Sequence, residues 1–235
     1  MRVYGGLKPS DWSHWGQFTT FKSNAPALLR RQLRSGQVIY CSPLVDPYQP
    51  AEETQRLMPQ ILDELRECPP KIFVIQTRGS LILRDLDKLI ELSRFTTLRV
   101  SFSVTTNREE IRKLFEPHCA PISQRIETVH RLRRAGVETF ATLAPLLPCD
   151  PEELAELALD ATCSDIIADP LHIRASKPRG ATTREAAFAI SRRYEFSAWL
   201  EPEFQAEVIS RIDRAVTKAG RRFATGVEGF GWLAQ

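Results

Sequence analysis

The chain contains no C-x-x-C pair. Its five cysteines, Cys41, Cys68, Cys119, Cys149 and Cys163, are odd in number and far apart. That pattern argues against a disulfide framework and supplies no local thiolate set for zinc or an iron–sulfur cluster. Each reads instead as a buried or incidental thiol. The four histidines, His14, His118, His130 and His172, show no i, i+4 pairing of the kind a helical metal site uses. No metal ligand is therefore read from this sequence. GxSxG, P-loop and dinucleotide fingerprints are missing too. No run of roughly 18 apolar residues occurs, so no membrane span is expected. The opening MRVYGGLKPSDWSHWG lacks the apolar core of a signal peptide, and a cytoplasmic location is expected. Repeats, low-complexity tracts and linker-like composition shifts are also absent. Residues 1–235 therefore read as one domain.

What is present is an ordinary globular composition with a net charge of +3, which permits a nucleic-acid partner without arguing for one. The paired arginines, such as Arg133-Arg134 and Arg221-Arg222, sit on different elements and read as solvated helix faces.

Strand and helix signals alternate along the chain. Residues 1–20, with Trp12, Trp15 and Phe18, read as an ordered loop. Asn24 and Pro26 open a helix to about Leu33. Val38 to Cys41 is an apolar strand that breaks at Pro43, Pro47 and Pro50. One helix is predicted from about Ala51 to Cys68, then a strand over Lys71 to Thr77 and a helix opened by Asp85. Leu98 to Val104 is a third strand, and Thr106/Glu109 and Asn107/Glu110 both offer a capping box for the next helix. A helix over Ser123 to Ala135, stopped by Gly136, leads into a fourth strand, Val137 to Ala144. Asp150 caps a further helix, and Ile166-Ile167 mark a fifth strand. The remainder, 171–235, reads as a C-terminal helical extension with a basic loop at Lys177-Pro178-Arg179-Gly180 and a last short strand at Phe223 to Thr225. This alternation predicts an α/β fold with a parallel sheet and helical crossovers.

In such folds, ligands bind at the C-terminal strand tips. The residues predicted there are Asp46 after the first strand, Thr77-Arg78 after the second, and Ser101 and Ser103 alternating on one side of the third. Asp169 and His172 follow the fifth.

Those positions also carry a resemblance. The run Asp46-Pro47-Tyr48-Gln49-Pro50-Ala51-Glu52 resembles the DPYQPxE signature of radical S-adenosylmethionine (SAM) proteins related to spore photoproduct lyase, also called DNA repair photolyase-like. Further blocks are similar in the same order: Lys22-Ser23-Asn24-Ala25-Pro26 with Leu28-Leu29, Thr77-Arg78 leading to Arg84-Asp85, Glu116-Pro117 with Arg125, and Ala144-Pro145-Leu146-Leu147-Pro148. They extend from about Gly16 to Pro148. The family's CxxxCxxC motif does not occur in the chain.

The resemblance implies a partial (β/α)6 TIM-like radical SAM barrel, with the first strand and the cluster loop missing from this chain. It implies a [4Fe–4S] cluster that cleaves SAM to a 5′-deoxyadenosyl radical, acting on a substrate the sequence does not identify, nucleic acid among the classes. By resemblance, Arg78 stands at a position usually lysine and binds the SAM carboxylate. Asp46 lies next to the SAM amino group, and Ser103 matches a serine near SAM. Val45 stands where the family usually has a hydroxyl residue. In spore photoproduct lyase a cysteine three residues before the aspartate donates a hydrogen atom; here that residue is Pro43. Cys41, two residues earlier and on the same side of the strand, is the remaining candidate donor, its other reading being a buried thiol.

In relatives the cluster motif ends just before a stretch resembling Val3-Tyr4-Gly5-Gly6-Leu7. A barrel begun at its second strand would also leave an open parallel edge at Val38 to Cys41. The sequence therefore raises the expectation of roughly 30 or more residues upstream of Met1, enough for a strand and a cluster loop. Two other readings stand beside the enzyme: a cluster-free barrel relic that binds a nucleotide or partner, and a metal-independent enzyme with Asp46 or Asp169 as base.

Overall fold

A computed structural model of the chain describes residues 18–41, 45–172 and 185–235. The expectations for residues 1–17, for Pro43 and for the basic segment at 177–180 lie outside the described residues. The six strands are β1 (Val38–Cys41), β2 (Ile72–Thr77), β3 (Thr97–Ser103), β4 (Glu138–Leu146), β5 (Ile166–Pro170) and β6 (Phe223–Thr225). They form one sheet, all parallel, in the order of the chain. The last strand joins the same sheet as the first five, so the C-terminal residues complete it.

The helices between them are α1 (Ala25–Gln32), α2 (Glu52–Gln55), α3 (Leu57–Glu67), α4 (Leu86–Leu92), α5 (Glu109–Phe115), α6 (Ile122–Arg134), α7 (Pro151–Thr162), α8 (Glu185–Arg193), α9 (Pro202–Lys218) and α10 (Gly226–Trp232). The strand period of two sorts the side chains between two faces. Phe73, Ile75, Val100, Phe102, Ala141, Leu143 and Ala168 pack under α3, α4, α6, α7 and α9 in the main core. Consecutive strand order with that helix layer on one face differs from the strand order of a doubly wound sheet. The architecture is thus compatible with the TIM-like fold read from the sequence.

The opposite face holds a smaller cluster: Tyr40, Ile72, Val74, Phe140 and Ile167 meet Phe230, Trp232 and Leu233 from the C-terminal end of the chain. The sequence reading takes 171–235 as helical without assigning a separate helix over 226–232, where three glycines (Gly226, Gly229, Gly231) lower helix propensity. Tertiary packing overrides that propensity. A Cβ at Gly229 would stand 2.8 Å from Ile167 Cγ2 and 3.1 Å from the Ala224 carbonyl oxygen, so glycine lets α10 press onto β5 and β6. Arg99 Nη1 then donates to the carbonyls of Leu233 (3.0 Å) and Gln235 (2.8 Å). Arg222 stacks over Trp232 at 4.6 Å from the ring centroid.

Several local expectations are corrected. The single helix expected over Ala51 to Cys68 is two, broken at Arg56, which takes φ 50°. Pro59 explains the break: it has no N–H for the carbonyl four residues back, so it fits only in the first turn of a new helix. The predicted capping boxes before α5 do not form. Thr106 Oγ1 instead accepts from Arg108 N and donates to the Pro148 carbonyl. Asn107 accepts from Asp150 N and donates to Glu153. Glu109 turns away to Arg112 and to the N–H of Ile122 at the start of α6. Asn24 makes no side-chain cap. The helix opened by Asp85 is preceded by a 3₁₀ turn over Ser80–Asp85, and that carboxylate binds Arg84 rather than capping. Asp150 caps α7 as expected, accepting from Glu153 N at 3.1 Å.

Candidate functional site

The strand tips are joined by a hydrogen-bonded frame. The apolar strand β1 runs into Asp46-Pro47-Tyr48, whose proline stiffens the turn. Asp46 Oδ1 accepts from Thr77 Oγ1 (2.6 Å) and from Tyr48 N (2.9 Å). Its other oxygen accepts from Arg78 N at 2.8 Å. One carboxylate thus closes its own turn and ties it to the tip of β2. Gly79 N donates to Thr77 Oγ1 at 2.9 Å. A Cβ at Gly79 would lie 2.3 Å from the Tyr48 carbonyl oxygen, so the two turns touch backbone to backbone.

A second carboxylate, Glu52, is buried. It accepts from the N–H groups of Leu57 (3.1 Å) and Met58 (2.8 Å), the orphan donors of α3. Arg84 Nη2 reaches the same carboxylate at 3.0 Å and also binds Asp85 at 2.8 Å. Arg84 Nη1 donates to the Glu52 carbonyl at 2.9 Å. The buried Tyr48 hydroxyl sits beside this group; burial, then Asp85, holds it well above its ordinary range.

A third carboxylate, Glu116, gathers Arg78, Arg125 Nη2 (2.6 Å) and Thr105 Oγ1 (3.0 Å). Arg125 is 1% exposed and spends its Nε on the Ala120 carbonyl at 3.1 Å. Burial alone would raise the Glu116 carboxyl. The guanidinium groups of Arg78 and Arg125 outweigh it and hold the carboxyl below its ordinary value. The tip of β4 joins through Leu147 N, which donates to the Thr105 carbonyl at 2.9 Å. In the sequence, Glu52, Arg84, Asp85, Glu116 and Arg125 stand out only as parts of motifs. In the structure, Glu52, Arg84 and Asp85 tie the segments after β1 and β2 together, and Glu116 with Arg125 ties the tip of β2 to the segment after β3.

The sequence-predicted site residues fall into two places. Extending the β2–β3 register, in which Thr77 pairs with Phe102, by one residue sets Arg78 level with Ser103. Their backbones are then about 5 Å apart, with Asp46 bound to Arg78 N. Arg78 gives Nη1 to Glu116, and its Nε and Nη2 make no hydrogen bond among the described residues. Lysine would offer Glu116 a single point charge. Arginine can hold Glu116 with one edge and present the other. Ser103 is 2% exposed, lies on the face that carries α10, and makes no side-chain hydrogen bond among the described residues. Its neighbour Ser101 is spent on Thr142, at 2.5 Å. Tyr40 shares this face, and its hydroxyl is buried without a partner among the described residues; burial pushes it up to about 12, with Ser101 opposing.

Cys41 stands apart from Ser103. It pairs with Ile75 in register and packs toward the helix layer. Burial, with Asp46 adding, pushes its thiol up to about 12. Asp169 and His172, after β5, are hydrogen-bonded to each other at 2.8 Å. A depression of about 800 Å³, open to solvent, lies at the opposite ends of the strands against Lys71, Arg94, Phe95 and Glu138, away from all of these residues.

Solved structures show the same architecture. Spore photoproduct lyase complexed with dinucleoside spore photoproduct superposes with a TM-score of 0.56 at 14% identity, covering 87% of this chain and 65% of that one. A double mutant of the same enzyme with bound AdoMet and dinucleoside spore photoproduct gives 0.55 at 14% identity, over 86% and 64%. The fold resembles that of the matched part of spore photoproduct lyase. No protein-family model matches the chain. An uncharacterized protein of Methanocaldococcus jannaschii is 26% identical over 138 residues, 59% of this chain and 51% of the relative. An uncharacterized protein of Mycobacterium tuberculosis is 28% identical over 131 residues, 54% and 38%. The chain therefore spans about half the length of these curated relatives or less.

The residues present answer differently for the two implied cofactors. A [4Fe–4S] cluster takes a set of convergent thiolates. All five cysteines are free, and no group of three metal-binding side chains exists among the described residues. They do not fit a cluster. SAM fits better: among the described residues Arg78 Nε and Nη2 and the Ser103 hydroxyl make no hydrogen bond, and the two residues lie level on neighbouring strands. No helix among the described residues is long and apolar enough to cross a membrane.

Proposed function

We propose that this chain is a radical SAM-type protein that binds S-adenosylmethionine across the tips of β2 and β3. The observation that carries the reading is the pairing of Arg78 with Glu116, which holds the guanidinium through Nη1 and leaves Nε and Nη2 without a hydrogen bond among the described residues. In this reading the free edge takes the SAM carboxylate in a charge-assisted, two-point contact. Ser103 donates to the same ligand. Asp46 holds the β1 turn against Arg78 N and faces the ligand's amino group with its remaining lone pair. In this reading the protein's share is to orient SAM and exclude water; cleavage of SAM to a radical would need a one-electron donor, which the described residues do not hold. The fold shared with spore photoproduct lyase supports the assignment, and a nucleoside-containing substrate is the class that likeness favours.

The test is a calorimetric titration of the full chain with SAM. Saturable one-to-one binding is expected, lost with sinefungin already bound. An absence of measurable binding at millimolar SAM would remove the reading. Iron and sulfide analysis after anaerobic reconstitution then separates a cluster-carrying enzyme from a protein that binds SAM without one.

A further inference from the structure

Two polar side chains on the α10 side of the sheet have no part in the frame described above. Ile167 of β5 belongs to the cluster beneath α10, while Ile166 and Ala168 belong to the main core. Strand alternation puts Asp169 on the same face as Ile167. A Cβ at Gly226, the first residue of α10, would lie 3.6 Å from Asp169 Oδ1, which fixes the carboxylate beside the tip of β6. His172 Nε2 meets that same oxygen at 2.8 Å. The loop between them is anchored: Leu171 is buried with Ile111 and Leu147, and its carbonyl accepts from Gln205 Nε2 at 2.8 Å. Each side chain of the pair is 21% exposed, so the pair is held firmly and still opens to solvent.

The pair has a defined polarity. A carboxylate accepts, so the hydrogen bond assigns the imidazole proton to Nε2 and leaves Nδ1 as an acceptor. A neutral imidazole oriented by a carboxylate is a general base, and the carboxylate stabilises the imidazolium that forms. We propose that Asp169 and His172 form an acid–base dyad whose Nδ1 accepts the hydroxyl proton of a neutral ligand lying on the α10 side of the sheet. The proton moves from the ligand oxygen to Nδ1 and returns by the same path, and Asp169 stays ionised throughout. The carboxylate beside the imidazole disfavours an anionic group at this position. Register puts Ser103 level with Thr142 and Ile167, so Asp169 lies one side-chain layer above Ser103 and two strands across. That is a backbone separation of about 12 Å. The hydroxyl has two sources, the sugar of SAM or a nucleoside substrate. The dyad itself does not depend on SAM binding.

Ring ¹⁵N spectra of the full chain across pH test this directly. Asp169 is the charged group bonded to His172; Ile111, Leu147, Phe115 and Phe196 around Leu171 are apolar, and Gln205 is neutral. In Asp169→Ala the neutral ring should lose its fixed tautomer, because the acceptor that holds the Nε2 proton is gone. The neutral form in the wild type should carry its proton on Nε2. Thymidine and SAM are then added separately. A shift of the His172 resonances with thymidine alone assigns the dyad to a substrate, and with SAM alone to the cofactor's sugar. Equal tautomer populations in wild type and Asp169→Ala, a proton on Nδ1, or no response to either probe overturns the proposal. If SAM fails to bind but the proton sits on Nε2 and thymidine acts, the dyad stands and the SAM reading falls.

Discussion

Arg125 donates to Glu116 at 2.6 Å inside the protein, and Arg78 reaches the same carboxylate from the tip of β2. A buried charge is costly unless paired. Here the pairing also holds a strand-tip arginine whose other edge is open.

The Glu116 carboxyl lies below its ordinary value of 4.5 in the folded chain. A depressed folded value gives stability that is full above the unfolded value and is lost as pH falls through the folded one. Glu116→Gln should therefore flatten the acid limb of a stability–pH curve between about pH 5 and 3. At neutral pH the same variant should be less stable than wild type. Urea melts across that range check both signs. An unchanged acid limb would contradict the assignment.

Arg125→Met should cost about 3–5 kcal/mol at neutral pH, the scale for breaking a buried pair from one side. Chemical denaturation measures it. A loss under about 1 kcal/mol would mean that Arg78 and Thr105 alone satisfy Glu116.

Glu52, the first residue of α2, caps the start of α3 through its side chain, accepting from Leu57 N and Met58 N. Glu52→Ala should lose about 3 kcal/mol, a cap plus part of a buried ion pair, because Arg84 keeps Asp85. Glu52→Gln should lose less, since its amide oxygen can still accept. Urea melts of the two variants rank them, and equal losses would show that the charge rather than the cap holds the turn.

Gly79→Ala would set a Cβ 2.3 Å from the Tyr48 carbonyl oxygen, a backbone atom that cannot swing aside. The expected loss is about 1–3 kcal/mol, with the β1 and β2 tips pushed apart. Hydrogen exchange at Tyr48 N and Arg78 N should rise above wild type; unchanged protection would show that the two turns do not depend on the close approach.

Much of the fold is legible in the sequence because its signals are local. The β-branched runs KIFVIQT and LRVSFSV mark β2 and β3, and Asp150-Pro151 marks the start of α7. The break at Arg56 is legible in principle, since Pro59 forbids a continuous helix, but the apolar face of Leu57, Ile61, Leu62 and Leu65 gives the stronger signal. Helix α10 is not legible: its glycines argue against a helix until β5 and β6 press on them. Asp46, Arg78 and Ser103 can be named as strand-tip residues from order and alternation. Their carboxylate partners cannot. Arg78 and Glu116 are 38 residues apart, and no periodicity links two side chains across that distance. The same holds for Glu52 and Arg84, 32 apart.

The central claim is that the open edge of Arg78 binds SAM, and one titration tests it most directly. SAM is titrated calorimetrically into the full chain as wild type, Arg78→Lys and Arg78→Ala, with melting curves confirming that each is folded. Loss of a charge-assisted contact is worth roughly 1.5–3 kcal/mol, about a 10- to 100-fold weaker affinity for Arg78→Ala. Arg78→Lys should fall between, since one ammonium must serve both Glu116 and the ligand. Equal affinity in all three proteins would contradict the account.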